Sequence, residues 1–337
     1  MPTHEHFLSA IREAPDDDGP RLVYADWLDE HGGPDGQARA EYIRVACQIA
    51  RIEQHDLPAF RAIMPSNAVS DAQLARYDDK SWNALNDREI ELFEQHGKKW
   101  LQPVQDIVFA HMFRRGFVEQ ATVGVKKYLQ HVETLFSRTP VYHLKVINLK
   151  RTKPPTPVSR VLAFPCLKSL PWLDLTNAGL SPGEVGEICD SPHLTSLTGL
   201  ILRENPFGME GVAELARLPR IRQLTFLDLS WCSLNLLALR ELFKLPLDSL
   251  TDLHLSNTRL GPRGVGELAK WPGLERIRSL DLRYCGLDHE AWQVLADCPG
   301  LKRLRWLEVE GNKIDRRSKA WKALVARFGK AVQTGES

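Results

Sequence analysis

A segment of eleven residues recurs through the second half of this 337-residue chain at a nearly constant interval, and no other feature narrows the possible folds as far. It reads LPWLDLTNAGL from Leu170, LTGLILRENPF from Leu197 and LTFLDLSWCSL from Leu224. It continues as LTDLHLSNTRL from Leu250, IRSLDLRYCGL from Ile277 and LRWLEVEGNKI from Leu304. Successive starts lie 27, 27, 26, 27 and 27 residues apart. LKVINLKRTKP from Leu144 fits one period earlier and VEQATVG from Val118 one earlier again, each by 26, which makes seven recognisable units and a degenerate first one. Alternation such as Leu173 and Leu175 turns one face of a short strand inward and leaves the intervening residues to solvent. Later in each unit, positions 16 and 19 read Val185/Ile188, Val212/Leu215, Leu239/Leu242, Val265/Leu268 and Trp292/Leu295. An apolar spacing of three is the stripe of a short amphipathic helix. Units of this kind bury a core only by stacking on their neighbours.

The pattern LxxLxLxxNxL in these units, from about Gly116 to Ile314, resembles that of leucine-rich repeat proteins; the unit length with its helix resembles the ribonuclease-inhibitor-like subclass. The resemblance implies an α/β fold: a solenoid curved as a right-handed horseshoe, with parallel strands on the concave face and helices outside. Position 9 of the pattern holds Asn or Cys, whose side chain satisfies loop backbone groups inside the coil. Here it is Asn205, Cys232, Cys285 and Asn312, with Thr152 and Thr258 as substitutes, while Ala178 departs beside Asn177. The two cysteines are thereby expected to be structural and not nucleophilic. The final unit also departs, with Lys319 at position 16 and its apolar set moved to Trp321, Leu324, Val325 and Phe328. That suits a helix capping the last open core face.

Before Gly116 the period is absent. Residues 1–55 read as three helices, HEHFLSAIREA, PRLVYADWLDEHG and ARAEYIRVACQIARIE, with Pro20 at a helix start and Gly32–Gly33 at a stop. IREAPDDDGPRLVYADWLDEHG, followed by EYIRVACQIARI, closely resembles the repeat-companion domain of planctomycete bacteria, a short module that precedes repeat arrays. Pro58, Pro65 and SNAVSD suggest a loop, NDREIELFEQHGKKW a helix ending near Gly97, and DIVFAHMFRRGFVEQATV strand material leading into the repeats. The expected division is a small all-α module over 1–55, a helical linker and amino-terminal cap over 56–115, the solenoid over 116–315, and a capping helix and tail over 316–337.

Signatures of chemistry are missing from the sequence: there is no GxxxxGK[ST], no GxGxxG after a strand, no HExxH and no GxSxG. No cofactor or metal is expected. His4 and His6 flank Glu5, for which a frayed terminus is a simpler setting than a metal site. Asp26 and Glu30 share a helix face beside Tyr24, Trp27 and Asp29; paired carboxylates can serve as acid and base, but a solvated face explains them as well. Asp16–Asp17–Asp18 read as turn and capping residues. Six scattered cysteines without a CxxC pair read as reduced thiols, and with no signal sequence or long apolar run the chain is expected to be cytoplasmic and off the membrane. Lys and Arg number 44 against 43 Asp and Glu, which argues against a general nucleic-acid coat. Charge is uneven all the same: residues 1–36 hold nine acids and two bases, and Arg316, Arg317, Lys319, Lys322, Arg327 and Lys330 make the final helix basic. For that helix a solvated cap is the simpler reading, binding to an acidic partner or a membrane surface the other.

The strand positions turned away from the core carry the candidate site. Trp172, Phe226 and Trp306 occupy position 3; Asp174, His254, Asp228, Asp281 and Glu308 occupy position 5; Arg203 and Arg283 occupy position 7; Trp231 and Tyr284 follow at position 8. Solubility explains the charged residues but not aromatics beside them, which are usual anchors of protein interfaces. The expected function is a non-enzymatic scaffold binding a protein or peptide, with basic groups of the partner facing the acids. The alternatives are a regulator of an enzyme such as a nuclease or GTPase, by analogy alone, and a hydrolase in the acidic amino-terminal module.

Overall fold

The computed structural model describes residues 3–56 and 80–335, and the loop expected around Pro58, Pro65 and SNAVSD lies outside them. The chain is α/β: among the described residues there are twelve helices and a ten-stranded sheet whose strands follow chain order. Two compact units are distinguished, one of Met1–Ile147 with Phe164–Leu173 and His193–Ser196, the other of Asn148–Ala163, Asp174–Pro192 and Leu197–Ser337.

In the first unit, α1 (His4–Glu13), α2 (Gly19–His31) and α3 (Gly33–Asp56) lie where the sequence places helices. Pro20 sits in the first turn of α2, and the Gly32 N–H closes its end on the Leu28 carbonyl at 2.8 Å. Leu8, Ile11, Ala25, Leu28, Ile43 and Cys47 form the core between these helices. The fourth helix, α4 (Lys80–Leu101), runs past Gly97, contrary to the expected stop. A Cβ at Gly97 would stand 2.9 Å from the ring of Phe93, an exposed side chain, so the helix passes through this glycine without a backbone conformation that requires it.

The strand material forms a hairpin of β1 (Ala110–Arg114) and β2 (Phe117–Gly124), antiparallel, turned at Arg115 and Gly116. Gly116 has φ +90°, and a Cβ on it would meet Ile43 Cγ1 at 2.5 Å, so both conformation and space demand glycine. Helix α5 (Val125–Arg138) then returns the chain to β3 (His143–Ile147), which pairs parallel to β2 from Gln120↔His143 to Gly124↔Ile147. Glu119, fully buried on β2, accepts from Arg21 Nη2 at 2.5 Å, Arg21 Nε at 3.0 Å and Arg115 Nη2 at 3.0 Å. A buried carboxylate persists only with such partners.

After α6 (Val158–Leu162) the units fall into a rhythm of three-residue strands and short helices. The strands are β4 (Trp172–Asp174), β5 (Gly199–Ile201), β6 (Phe226–Asp228), β7 (Asp252–His254), β8 (Ser279–Asp281) and β9 (Trp306–Glu308). Between them come α7 (Pro182–Cys189), α8 (Gly208–Glu214), α9 (Leu236–Leu242), α10 (Gly261–Leu268) and α11 (His289–Asp297). Strands β5 to β9 pair parallel with Leu200, Leu227, Leu253, Leu280 and Leu307 opposite one another, and all five are buried. Positions 16 and 19 are buried as well in the five units that begin at Leu170, Leu197, Leu224, Leu250 and Ile277.

Position 9 does what its residue types require. Asn205 Oδ1 accepts from the Gly179 and Leu180 N–H groups at 2.8 and 3.0 Å, while its Nδ2 donates to the Leu175 and Leu202 carbonyls at 2.9 and 2.8 Å. In the last unit Asn312 Oδ1 accepts from the Cys285 and Leu287 N–H groups at 3.0 and 2.9 Å and its Nδ2 donates to the Leu282 and Val309 carbonyls, each at 2.8 Å, and the Thr258 hydroxyl donates to the Leu255 carbonyl at 2.6 Å. Cys232 and Cys285 donate through sulfur to the Leu202 and Leu255 carbonyls, each at 3.1 Å.

The closing helix α12 (Lys319–Phe328) buries Trp321 and Leu324, and the Trp321 ring meets Trp292 edge-on at 5.4 Å. Val325, placed with them in the sequence, is exposed. The chain then adds a short strand absent from the sequence expectation, β10 (Val332–Gln333), parallel to β9. No helix among the described residues is long and apolar enough to cross a membrane.

Candidate binding surface on the strand face

The acids of position 5 end their strands by bending back. Oδ1 of Asp174 accepts the Thr176 N–H at 2.7 Å, that of Asp228 the Ser230 N–H at 2.8 Å, and that of Asp281 the Arg283 N–H at 2.9 Å. This is the Asx turn, in which a short side chain mimics a backbone turn. The repeated Asp-Leu-Xaa triplet, Asp174-Leu175-Thr176 and its two successors, is the sequence signal of these turns. The consequence is a correction: Asp174, Asp228, His254, Asp281 and Glu308 are buried, not turned into solvent.

Each is engaged further. Arg283 grips Asp281 with two bonds, Nε to Oδ1 at 3.0 Å and Nη2 to Oδ2 at 2.6 Å. Burial pushes the Asp281 carboxyl up, but bonding to Arg283 and the nearby His254 outweigh it and hold it below its ordinary value. His254 Nδ1 stands 3.8 Å from Asp228, and its ring meets Phe226 edge-on at 4.8 Å. Glu308 accepts the Trp306 indole N–H at 2.7 Å. Arg203 is half-buried and reaches Glu204 at 3.2 Å.

The aromatics of position 3 need the same correction: Phe226 is 2% and Trp306 4% exposed. Adjacent strands lie only about 4.8 Å apart, so a wide ring at each register position is covered by its neighbours. Trp172, also buried, belongs to the first unit, where its N–H reaches the Tyr142 carbonyl at 3.0 Å and its ring lies 6.1 Å from His143. These three rings are core, not free anchors.

Position 8 differs. Trp231 is 46% and Tyr284 49% exposed, and both have a left-handed backbone, at φ 61° and 54°. The same position is left-handed in the other units, where Asn177, Glu204, Asn257 and Gly311 occupy it. Asn and Gly suit that conformation, whereas a bulky aromatic there is an outlier. The Tyr284 ring lies over Gly311, where a Cβ would approach Cδ1 to 2.2 Å, and its hydroxyl donates to Glu310 Oε1 at 2.9 Å.

The other sequence candidates are not assembled into a site. Asp26 and Asp29 both pair with Arg44, at 2.7 and 2.6 Å, and Glu30 is exposed. His4 is anchored rather than frayed, bonded to the Tyr24 hydroxyl at 2.5 Å with its ring 4.9 Å from Trp27, while His6 turns to the Thr3 hydroxyl. Among the described residues no group of His, Cys, Asp and Glu is arranged to hold a metal. All six cysteines are free thiols, and burial pushes Cys232 up to about 12, which removes it as a nucleophile near neutral pH. Comparison with protein-family models and with curated proteins finds no match to this chain.

Proposed function

We propose that the chain is a ribonuclease-inhibitor-like leucine-rich repeat protein with an amino-terminal repeat-companion module, and that it works as a non-enzymatic scaffold. In this reading its repeats form a horseshoe whose concave, strand-lined face binds a protein or peptide. The repeat period, the leucine ladder from Leu200 to Leu307 and the asparagines inside the turns support the architecture.

One observation carries the function. Trp231 and Tyr284 are half-exposed aromatics held in a backbone conformation that favours Asn or Gly. Strain of this kind persists where function requires the side chain, and Trp and Tyr are the commonest anchors of interfaces. In this reading the buried acids Asp174, Asp228 and Glu308, at position 5 of their strands, supply a negative field, reduced where Arg283 neutralises Asp281. The partner therefore presents an apolar pocket or side chain to each aromatic and a Lys or Arg to the field between them.

Selection from a random displayed-peptide library tests this on the full-length protein. The expected result is enrichment of peptides that combine Lys or Arg with apolar residues and that are lost on a Trp231→Ala, Tyr284→Ala variant. Peptides that are retained by that variant would contradict the reading.

A further inference from the structure

The guanidinium of Arg39, on α3, lies against four aromatic rings: Trp100 at 4.7 Å, Phe117 at 5.4 Å, Phe113 at 5.6 Å and Tyr42 at 5.8 Å. Rings answer the flat face of a guanidinium, but its N–H groups point outward in its own plane and need acceptors. Among the described residues no hydrogen bond or ion pair supplies one, and Nη1 is buried without a partner. The acids nearest in sequence are engaged elsewhere, Asp35 by Lys99 and Glu41 by Arg88. Burial accordingly pushes the Arg39 pKa down to about 10, opposed by Tyr42 and Tyr24 and by no carboxylate. A guanidinium enclosed in this way is costly until an anion joins it.

The same rings continue to the surface. Phe113 meets Phe93 at 5.0 Å and His111 at 5.9 Å, each edge-on. Phe93 and His111 are exposed, and Phe109, two residues before His111, is 78% exposed. Alternation puts 109, 111 and 113 on one side of β1. That strand ends the sheet, and its outer edge pairs with no strand among the described residues. An open edge accepts an extended peptide through its backbone, and a guanidinium short of acceptors takes a carboxylate with paired donors. We propose that β1 and Arg39 together bind an extended acidic segment of a partner protein, with its backbone along β1, an Asp or Glu on Arg39 and an apolar side chain on Phe109. This surface shares no residue with the one around Trp231 and Tyr284, and it selects the opposite charge.

Selection from a displayed-peptide library on the full-length Trp231→Ala, Tyr284→Ala variant, followed by fluorescence anisotropy of one enriched peptide, tests it without drawing on the other surface. The expected result is enrichment of peptides that pair Asp or Glu with an apolar residue. Affinity should fall about tenfold or more with Arg39→Gln, and equally when the peptide's acid is changed to its amide. Phe109→Ser, a change in an exposed side chain, should also weaken binding and gives the reading should Arg39→Gln fail to fold. Arg222→Gln, which removes an arginine paired with Asp248 elsewhere, should leave the affinity unchanged. No enrichment of acidic peptides, undiminished affinity in the Arg39→Gln and Phe109→Ser variants, or tighter binding of a single-stranded oligonucleotide than of the peptide would each overturn the proposal.

Discussion

Asn205 and Asp252 show how single buried polar groups tie these repeats together or strain them. Asn205 is fully buried and serves carbonyl and N–H groups of two successive turns. Asn205→Ala leaves those groups unanswered, at about 1–3 kcal/mol apiece. A loss of about 3 kcal/mol or more in urea unfolding is therefore expected; Cys232→Ala, which frees fewer groups, should cost less. Asp252 is the opposite case. Burial raises its carboxyl above the ordinary value, against a bond from the Thr251 hydroxyl at 2.6 Å and the charges of His254 and Arg278. The folded chain then holds that proton more tightly than the unfolded chain, so stability falls as pH rises from the unfolded carboxyl value, about 3.9, through the raised folded value. Asp252→Asn, which keeps an acceptor for Thr251, should raise the melting temperature at about pH 7 and lose that gain near pH 3. A gain that is equal at both pH values would show that the charge is not the cause.

Elements were legible in the sequence wherever a period selected them. The leucine ladder and the helical stripes of positions 16 and 19 follow from alternation, and the bonds of Asn205 and Asn312 from the chemistry of position 9. What escaped depends on contacts distant in sequence or on crowding. Gly97 reads as a stop, yet α4 continues through it to Leu101. Position 3 and position 5 residues read as solvent-facing, because alternation tells which side of a strand a residue takes but not how closely its neighbours cover it. The aromatic residues of the candidate site were found at position 8, but the left-handed backbone that sets Trp231 and Tyr284 apart leaves no mark in their own identity. Glu119 carries no local sequence signal, since its partner Arg21 lies 98 residues earlier. That cluster joins α2 to β2, and Glu119→Gln is expected to cost about 3 kcal/mol or more in urea unfolding, because it removes the charge that compensates two buried guanidinium groups. A cost below about 1 kcal/mol would mean that the cluster contributes little to holding the helix on the strand.

Across the whole molecule, a net charge of +1 conceals an acidic first 36 residues and a basic final stretch, and the strand positions add their own separation of acids from aromatics. A scaffold needs this unevenness more than it needs catalytic groups, since charge governs encounter while buried apolar contact governs residence. The proposed role therefore rests on two side chains more than on the array as a whole. The most direct test is the dissociation rate of a peptide selected on the full-length protein, measured by surface plasmon resonance. Trp231→Ala should raise that rate about thirtyfold or more, with Asp228→Asn slowing association and flattening its salt dependence. Unchanged dissociation from Trp231→Ala, together with loss of binding when exposed Leu237 on the helical side is changed to Glu, would contradict the account.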